Sequence, residues 1–169
     1  QHQATVDSLT QLTNRRGFDS VLQSNWLRLA RGQQSLALIL CDVDYFKLYN
    51  DCYGHLQGDD CLRCIAKILG DTAQREGDVA ARYGGEEFAV LLPNTPLRDA
   101  IALAERVRSQ VEFLQLPHNG SPVSQYVTLS LGVASCVPSP SAASEQLIAA
   151  ADKALYLAKS KGRNGFCVA

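Results

Sequence analysis

The sequence Leu36-Ala37-Leu38-Ile39-Leu40-Cys41 is an unbroken apolar run, and Asp42-Val43-Asp44 follows it at once. A half-solvated strand alternates apolar and polar residues, whereas a continuous apolar run is typical of a strand buried on both faces. We therefore predict a central, fully buried strand over residues 36–41. Its carboxyl end should lie at the two aspartates.

Helices and strands alternate around this strand. Apolar residues at helical spacing predict helices at about 14–29, 59–72, 96–114 and 144–159. The third of these helices follows Thr95-Pro96, a cap residue and then a proline suited to the first helical position. Further strands are predicted at about 79–83, 87–92, 127–136 and 166–168. The predicted fold is α/β or α+β, a mixed and mainly antiparallel central sheet flanked by helices in a palm-like or ferredoxin-like arrangement.

The bulk properties describe an ordinary globular domain. The chain has 169 residues, of which 46% are hydrophobic and 20% charged, and its net charge is −1. This near-neutral balance provides no basic field for nucleic acid, and no apolar run approaches the roughly 20 residues that span a bilayer. We expect neither nucleic-acid nor membrane contact by this domain. The start without methionine suggests that residues 1–6 are the tail of an upstream linker and residues 7–169 a domain excised from a larger protein.

Six cysteines are present, but a domain of this size needs no disulfides to fold. A reducing cytoplasm is therefore the expected location. Cys61-x-x-Cys64 permits a zinc or redox interpretation, although no second pair completes four ligands. Because the pair lies in an apolar helical pattern, we predict buried structural thiols instead.

The acidic end of the central strand is a candidate metal site. Asp42 and Asp44 are two residues apart and in an extended chain would point to one face. Buried carboxylates need compensation, and Mg²⁺ provides it with few protein ligands when phosphate supplies the others. A solvated strand end with a capping aspartate is the alternative.

Gly84-Gly85 lies between two predicted strands and indicates a hairpin whose central positions need positive φ. The bare backbone would let a phosphate chain approach its amides. Glu86 and Glu87 follow, and one of them could share a cation with Asp42. An ordinary polar hairpin tip remains the alternative. Lys47 and the segment at 159–164 supply local cations for an anion. The alternative for the segment at 159–164 is compensation of the dipole at a helix C-terminus.

Together these segments resemble the GGDEF-domain family, the diguanylate cyclases. Five motifs in the family order carry the resemblance: Asp7-Ser8-Leu9-Thr10-Gln11-Leu12-Thr13-Asn14-Arg15-Arg16, Asp42-Val43-Asp44-Tyr45-Phe46-Lys47-Leu48-Tyr49-Asn50-Asp51, Gly54-His55 with Gly58-Asp59, Gly84-Gly85-Glu86-Glu87-Phe88, and Ala151-Asp152-Lys153-Ala154-Leu155-Tyr156 with Lys159 and Gly162-Arg163-Asn164. Tyr45, Tyr49 and Cys52 give the second motif a distinctive form. None of these departures removes a catalytic group.

The resemblance implies a palm-like nucleotidyl cyclase that condenses two GTP molecules into cyclic di-GMP and releases two pyrophosphates. It implies Mg²⁺ or Mn²⁺, two ions per half-site, and a homodimer in which each domain holds one GTP. An upstream sensory or receiver domain is the expected partner. A module that binds cyclic di-GMP or GTP without turnover, and a cyclase acting on ATP, remain alternative functions.

Residue roles follow from the same resemblance. The implied metal ligands are Asp42, the Val43 carbonyl and Glu86, and the implied catalytic residues are Glu86, Glu87 and Lys159. The implied substrate contacts are Asn50 and Asp59 at guanine, and Phe46, Lys47, Lys159 and Arg163 at the phosphates. His55 is expected to have a structural role. Arg75 and Asp78 resemble an Arg-x-x-Asp inhibitory site for the product, with a polar loop as the alternative interpretation.

Overall fold

The computed structural model describes residues 4–169, which form five strands and five helices. The strands are β1 (Leu36–Val43), β2 (Val79–Arg82), β3 (Glu87–Pro93), β4 (Leu129–Cys136) and β5 (Gly165–Val168). The helices are α1 (Arg15–Gly32), α2 (Phe46–Tyr53), α3 (His55–Thr72), α4 (Leu97–Phe113) and α5 (Glu145–Ser160). No helix among residues 4–169 is long and apolar enough to cross a membrane.

The strands form one sheet in the order β2-β3-β1-β4-β5. β1 pairs antiparallel with β3 and β4, β2 pairs antiparallel with β3, and only β4 and β5 run parallel. The prediction of a mixed, mainly antiparallel sheet with β1 at its centre is confirmed.

Every residue of β1 is buried because helices cover both faces of the sheet. Leu36, Leu38 and Leu40 pack into a core with residues of α1 and α5. Ala37, Ile39 and Cys41 pack into a second core with residues of α3 and α4. This division explains why the β1 sequence does not alternate in polarity.

The segment after β1 differs from the prediction. Residues 46–53 form the helix α2, and α3 begins at His55 instead of near 59. Gly54 separates the two helices with a φ of 89°, in the left-handed region that favours glycine. A helix of eight residues spans about two turns, too few for a repeating apolar pattern to reveal it.

Two local predictions are wrong. Pro96 is the N-cap of α4 and not its first residue, and the Thr95 hydroxyl bonds the Pro93 carbonyl at 3.0 Å instead of capping the helix. All six cysteines are free, but only Cys61 of the predicted buried pair is buried, whereas Cys64 is exposed.

The predicted linker falls partly outside the described residues. Residues 1–3 lie beyond them, while residues 4–6 contact the start of the domain. The Ala4 and Thr5 carbonyls accept hydrogen bonds from the side chain and backbone of Asn14 at 3.1 and 2.8 Å. Val6 forms an isolated bridge with Thr13. The chain segment leading into α1 is thus held against the domain from residue 4 onward.

Candidate functional site

The carboxyl end of β1 carries a partly buried ion pair. Asp42 Oδ2 accepts a hydrogen bond from Lys159 Nζ on α5, and the Asp42 side chain is only 12% exposed. Asp42 Oδ1 is buried and has no hydrogen-bond partner among the described residues. An unpartnered buried carboxylate oxygen is unfavourable unless something else compensates it. The structure therefore brings together two predicted site residues that are far apart in sequence and leaves one oxygen available.

Glu87 lies directly across from Asp42 in the register of β1 and β3. Burial raises the pKa of the Glu87 carboxyl above its ordinary value, and the nearby Asp42 carboxylate raises it further. Lys159 acts in the opposite direction and does not cancel these effects. Glu87 is consequently easier to protonate than an ordinary glutamate, and this favours a role in proton transfer.

The turn between β2 and β3, residues 83–86, is here called the glycine turn. Neither Gly84 nor Gly85 has a φ in the left-handed region, so the prediction of positive φ at both positions is wrong. A Cβ atom at Gly85 would meet nothing within 4 Å, and one at Gly84 would meet only the Glu87 side chain at 3.5 Å. The fold itself does not require glycine here, whereas close approach of a ligand to the backbone would.

Arg82 holds the glycine turn and was not identified as a site residue from the sequence. Its Nε and Nη2 donate to the Gly85 carbonyl at 3.1 and 2.9 Å, and its Nη1 lies 3.3 Å from Asp7 Oδ2. The guanidinium thus joins the chain segment before α1 to the turn. A cation two residues before a glycine pair was the only sequence signal for it.

A cavity of about 300 Å³ opens between α2, α3 and the glycine turn. Five predicted site residues line it: Phe46, Lys47, Asn50, Asp59 and Glu86. Phe46 and Lys47 were expected in a phosphate-covering loop but instead form the first turn of α2. His55 also lines this cavity. The predicted base-reading residues and the predicted metal ligand Glu86 therefore share one space, which we call the nucleotide pocket.

Asn50 of α2 packs so closely on Gly58 of α3 that no larger residue fits at position 58. Its Oδ1 is buried and unpartnered among the described residues, and a Cβ atom at Gly58 would lie 1.9 Å from it. The same Cβ would lie 3.3 Å from the Phe46 ring. Gly58 thus makes the room that α2 and its pocket residues occupy.

Lys159 and Arg163 line a second cavity of about 390 Å³ together with Tyr45. The Arg163 guanidinium stacks over the Tyr45 ring at 4.4 Å. These two of the four predicted phosphate contacts are thus neighbours, at the end of α5 and just beyond it. A third cavity, of about 410 Å³ beside the end of α4, contains none of the predicted site residues.

Asp44 does not share the candidate metal site with Asp42, because its carboxylate oxygens are already hydrogen-bonded within the protein. It is 1% exposed and accepts hydrogen bonds from Thr128 Oγ1 at 2.8 Å, Ser130 Oγ at 2.6 Å and the Asn164 backbone at 3.0 Å. Arg163 and Asn164 both have positive φ values, 61° and 42°. The Asp44 carboxylate therefore fixes the chain corner that presents Arg163.

The predicted inhibitory residues lie at the opposite end of β3 from Glu87. Arg75 reaches toward Thr95 Oγ1 at 3.4 Å and the Asn94 carbonyl at 3.5 Å, just after that strand ends. Asp78 Oδ2 accepts from the Arg75 backbone at 3.1 Å, and burial raises the pKa of this carboxyl. A seven-residue strand is about 20 Å long, so this pair is separate from the nucleotide pocket.

The carboxylates do not form a complete site for a divalent cation by themselves. Within residues 4–169, no group of three or more His, Cys, Asp or Glu side chains is arranged to hold a metal. The available Asp42 Oδ1 is nevertheless suited to one, and the Val43 amide bonds the Glu86 carbonyl at 3.2 Å. Mg²⁺ often uses one or two protein carboxylates and takes its other ligands from phosphate and water. The residues present fit such a site.

Comparisons with known proteins agree with this geometry. The family described as "Diguanylate cyclase, GGDEF domain" matches residues 4–165. The diguanylate cyclase VdcA of Vibrio cholerae serotype O1 is 43% identical over 166 residues, covering 97% of this chain and 47% of the relative. Diguanylate cyclase A of Treponema denticola is 39% identical over 163 residues, covering 95% of this chain and 43% of the relative.

A solved structure is similar across the whole domain. The GGDEF domain of DgcB from Caulobacter crescentus, in complex with c-di-GMP, superposes with a TM-score of 0.88 at 32% identity. The match covers 99% of this chain and 94% of that one. This chain spans less than half the length of the two curated relatives. With the family match over nearly all its residues, and with the five motifs on this sheet, the chain belongs to the GGDEF-domain family of diguanylate cyclases.

Proposed function

We propose that this domain condenses two GTP molecules into cyclic di-GMP and releases two pyrophosphates. The observation that carries the proposal is the nucleotide pocket, which unites Asn50 and Asp59 with Glu86. The Glu86 carbonyl accepts from the Val43 amide at 3.2 Å, one residue after Asp42 with its available Oδ1. In each half-reaction the 3′-oxygen of one nucleotide forms a bond to the α-phosphorus of the other. The bond between that α-phosphorus and the oxygen bridging to the β-phosphorus breaks, and pyrophosphate leaves. The complex of the related DgcB domain with c-di-GMP supports the choice of product.

Guanine is the base that the pocket residues favour. The Asp59 carboxylate can accept from the guanine N1–H and N2–H₂ groups, and the Asn50 amide can bond the same edge. Adenine presents a different pattern of donors and would leave these groups unpaired, which is a strong basis for rejection. Phe46 and Lys47 lie in the same pocket, on the first turn of α2.

Asp42, the Val43 carbonyl and Glu86 would hold Mg²⁺ or Mn²⁺, with two ions per half-site once the triphosphate is bound. Such ions stabilise charge on the attacking and leaving oxygens. Lys159 and Arg163 bind the phosphates from the other side. Lys159 forms an ion pair with Asp42. When a metal ion binds the Asp42 carboxylate instead, the Lys159 ammonium is free to contact a phosphate.

Glu87 accepts the proton of the attacking 3′-hydroxyl in this proposal. Its raised pKa brings the carboxyl closer to the range in which a general base works at neutral pH. Its position opposite Asp42 in the sheet puts it near the metal-binding oxygens.

Catalysis requires two copies of the domain, because one nucleotide pocket holds one GTP. The acting form is a homodimer with the two pockets facing each other. Arg75 and Asp78 form a separate product site: the guanidinium can bond guanine O6 and N7, and the carboxylate can accept from the base. An upstream sensory or receiver domain would control the pairing, in the cytoplasm.

Turnover of GTP by an enforced dimer tests the proposal. With Mg²⁺, the dimer should convert GTP to cyclic di-GMP and pyrophosphate, and ATP should be a poor substrate. Glu86→Ala should reduce turnover at least about a thousandfold while binding of added cyclic di-GMP is kept. Arg75→Ala is the matched variant, which should retain turnover and lose product inhibition. Absence of product from the enforced dimer, or faster turnover of ATP, would overturn the proposal.

A further inference from the structure

Residues 116–127, between α4 and β4, form a small turned-back segment that we call the clamp. Pro117 and Tyr126 form an isolated antiparallel bridge. The His118 amide donates to the Gln125 carbonyl at 2.8 Å, and the Val127 amide to the Leu116 carbonyl at 2.8 Å. The clamp is thus a defined element with its own backbone hydrogen bonds.

The clamp contacts α2 at its beginning, middle and end. His118 Nε2 bonds the Tyr45 carbonyl at 3.1 Å, just before the helix. The His118 ring meets the Tyr49 ring edge-on, with centroids 5.3 Å apart and planes at 89°. The Asn119 amide donates to the Tyr53 hydroxyl at 3.0 Å. The position of α2 is therefore tied to the clamp along its length.

The hydrogen bond to the Tyr45 carbonyl determines the tautomer of His118. A carbonyl only accepts, so His118 Nε2 must carry the proton. His118 is 1% exposed, and its Nδ1 is buried without a partner among the described residues. The tautomer with Nε2–H satisfies this environment, whereas a proton on Nδ1 would be an unpaired buried donor. The ring thus supplies one specific hydrogen bond.

Tyr45 needs such support. It precedes α2 with a φ of 53°, in the left-handed region, and its side chain makes no capping hydrogen bond. A tyrosine keeps this conformation only where its surroundings hold it. The Tyr45 carbonyl is held by His118, and its ring by the guanidinium of Arg163. The same carbonyl accepts from the Tyr49 amide at 3.1 Å, the first hydrogen bond of α2.

We propose that His118 is a positioning residue for nucleotide binding, acting through the Tyr45 carbonyl. Phe46, Lys47 and Asn50 lie on α2 immediately after this support and line the nucleotide pocket. Losing the Nε2–H bond frees Tyr45 to leave the left-handed region and shifts these three residues together. This inference rests on the proposed function, since the ligand that α2 meets is taken to be GTP.

A pair of amide substitutions tests this inference. His118→Gln can place its NH₂ group near the position of Nε2, whereas the shorter His118→Asn cannot reach the Tyr45 carbonyl. His118→Asn should raise the KM for GTP roughly three- to tenfold, the effect of one net hydrogen bond, with kcat changed less than about twofold. His118→Gln should stay within about twofold of the parent in both parameters. Asn119→Ala, an exposed side chain in the same clamp, is the control.

Hydrogen exchange gives a readout that needs no turnover. The amides of residues 45–53 should exchange faster in His118→Asn than in His118→Gln, and a non-hydrolysable GTP analogue should bind the first variant more weakly. If the parent makes no cyclic di-GMP but the two variants still differ in exchange, the proposed function fails and the positioning role stands. Equal exchange and equal KM in the two folded variants would overturn the positioning role, as would a loss confined to kcat.

Discussion

Glu87 has a raised pKa because it is partly buried and faces Asp42. Its folded-state pKa lies above the value of the unfolded chain, near 4.5, so ionising this carboxyl opposes folding. The contribution of Glu87 to the free energy of unfolding is therefore greatest below pH 4.5, and it falls as the pH rises through the folded-state pKa. The same environment that suits proton transfer therefore lowers stability at neutral pH.

Replacing this carboxyl should stabilise the domain at neutral pH. Glu87→Gln should melt at a higher temperature than the parent at pH 8, and the difference should shrink toward pH 4, where both forms are uncharged. Thermal unfolding followed by circular dichroism across this range measures the effect. Glu76→Gln, at an exposed position, should show no such trend. A Glu87→Gln variant less stable than the parent at pH 8 would contradict the assignment.

Two glycines of α3 give a matched test of the nucleotide pocket. Gly58→Ala would force its methyl group into Asn50 Oδ1, so we expect a roughly tenfold or greater weakening of GTP binding. A methyl group at Gly70 would meet only Leu12 at an ordinary 3.6 Å. Gly70→Ala should therefore raise stability by roughly 0.5–1 kcal/mol and leave binding unchanged. Calorimetric titration with a GTP analogue separates the two variants, and equal affinities would contradict the role of Gly58.

Some site residues could be predicted from the sequence because each belongs to a compact motif. Asn50, Asp59 and Glu86 were predicted in this way, and they line one pocket. His118 and Arg82 could not be assigned a role, since Tyr45, which His118 contacts, and Asp7, which Arg82 contacts, lie 73 and 75 residues away in the chain. The spacing of neighbouring residues does not reveal contacts between segments that are brought together only when the chain folds.

At the scale of elements, α5 packs on β4 more closely than any ordinary side chain permits. A Cβ atom at Gly132 in β4 would lie 2.2 Å from the Ala151 carbonyl oxygen and 2.3 Å from the Leu155 amide nitrogen. Both atoms belong to the helix backbone and cannot rotate away. The close packing of α5 on β4 also determines the position of Lys159, one turn beyond Leu155, and therefore its ion pair with Asp42.

Gly132→Ala should therefore displace α5 as a whole. We expect a loss of at least about 3 kcal/mol in the free energy of unfolding, at or above the upper end of overpacking effects, because backbone atoms are involved. Urea unfolding of Gly165→Ala provides the comparison, since a methyl group there would meet only the Arg163 carbonyl oxygen at 3.5 Å. Similar midpoints for the two variants would show that the helix tolerates a shift.

The elements were predictable to unequal degrees. β1 was evident because burial on both faces leaves a continuous apolar run. α2 was not, because its two turns place only Phe46, Tyr49 and Tyr53 on the buried face, which is too short a pattern to distinguish a helix. The Phe46 and Tyr49 rings stack with their planes 7° apart, and the Tyr49 and Tyr53 rings contact each other at an angle of 40°. α2 thus carries three of the pocket residues, Phe46, Lys47 and Asn50, although its own sequence is too short to predict it as a helix.

At the scale of the whole molecule, the domain supplies one nucleotide pocket and the proposed reaction needs two. Product formed per milligram of protein should rise with concentration when the domain is assayed alone. Fusion to a dimeric coiled coil should raise specific activity and remove its dependence on concentration. A dilution series measured by chromatography of cyclic di-GMP checks both statements. Constant specific activity for the unfused domain would argue against pairing of two half-sites.

The central position of β1 has a consequence for synthesis of the chain. Of its two neighbours, β3 ends at Pro93, whereas β4 begins only at Leu129. Until β4 has left the ribosome, one edge of the most apolar strand presents unpaired amides and carbonyls beside a six-residue run without charge. The strand on which the site is built is thus also the nascent segment most prone to aggregate. A chaperone that shields hydrophobic strand edges should matter most during translation of residues 94–128.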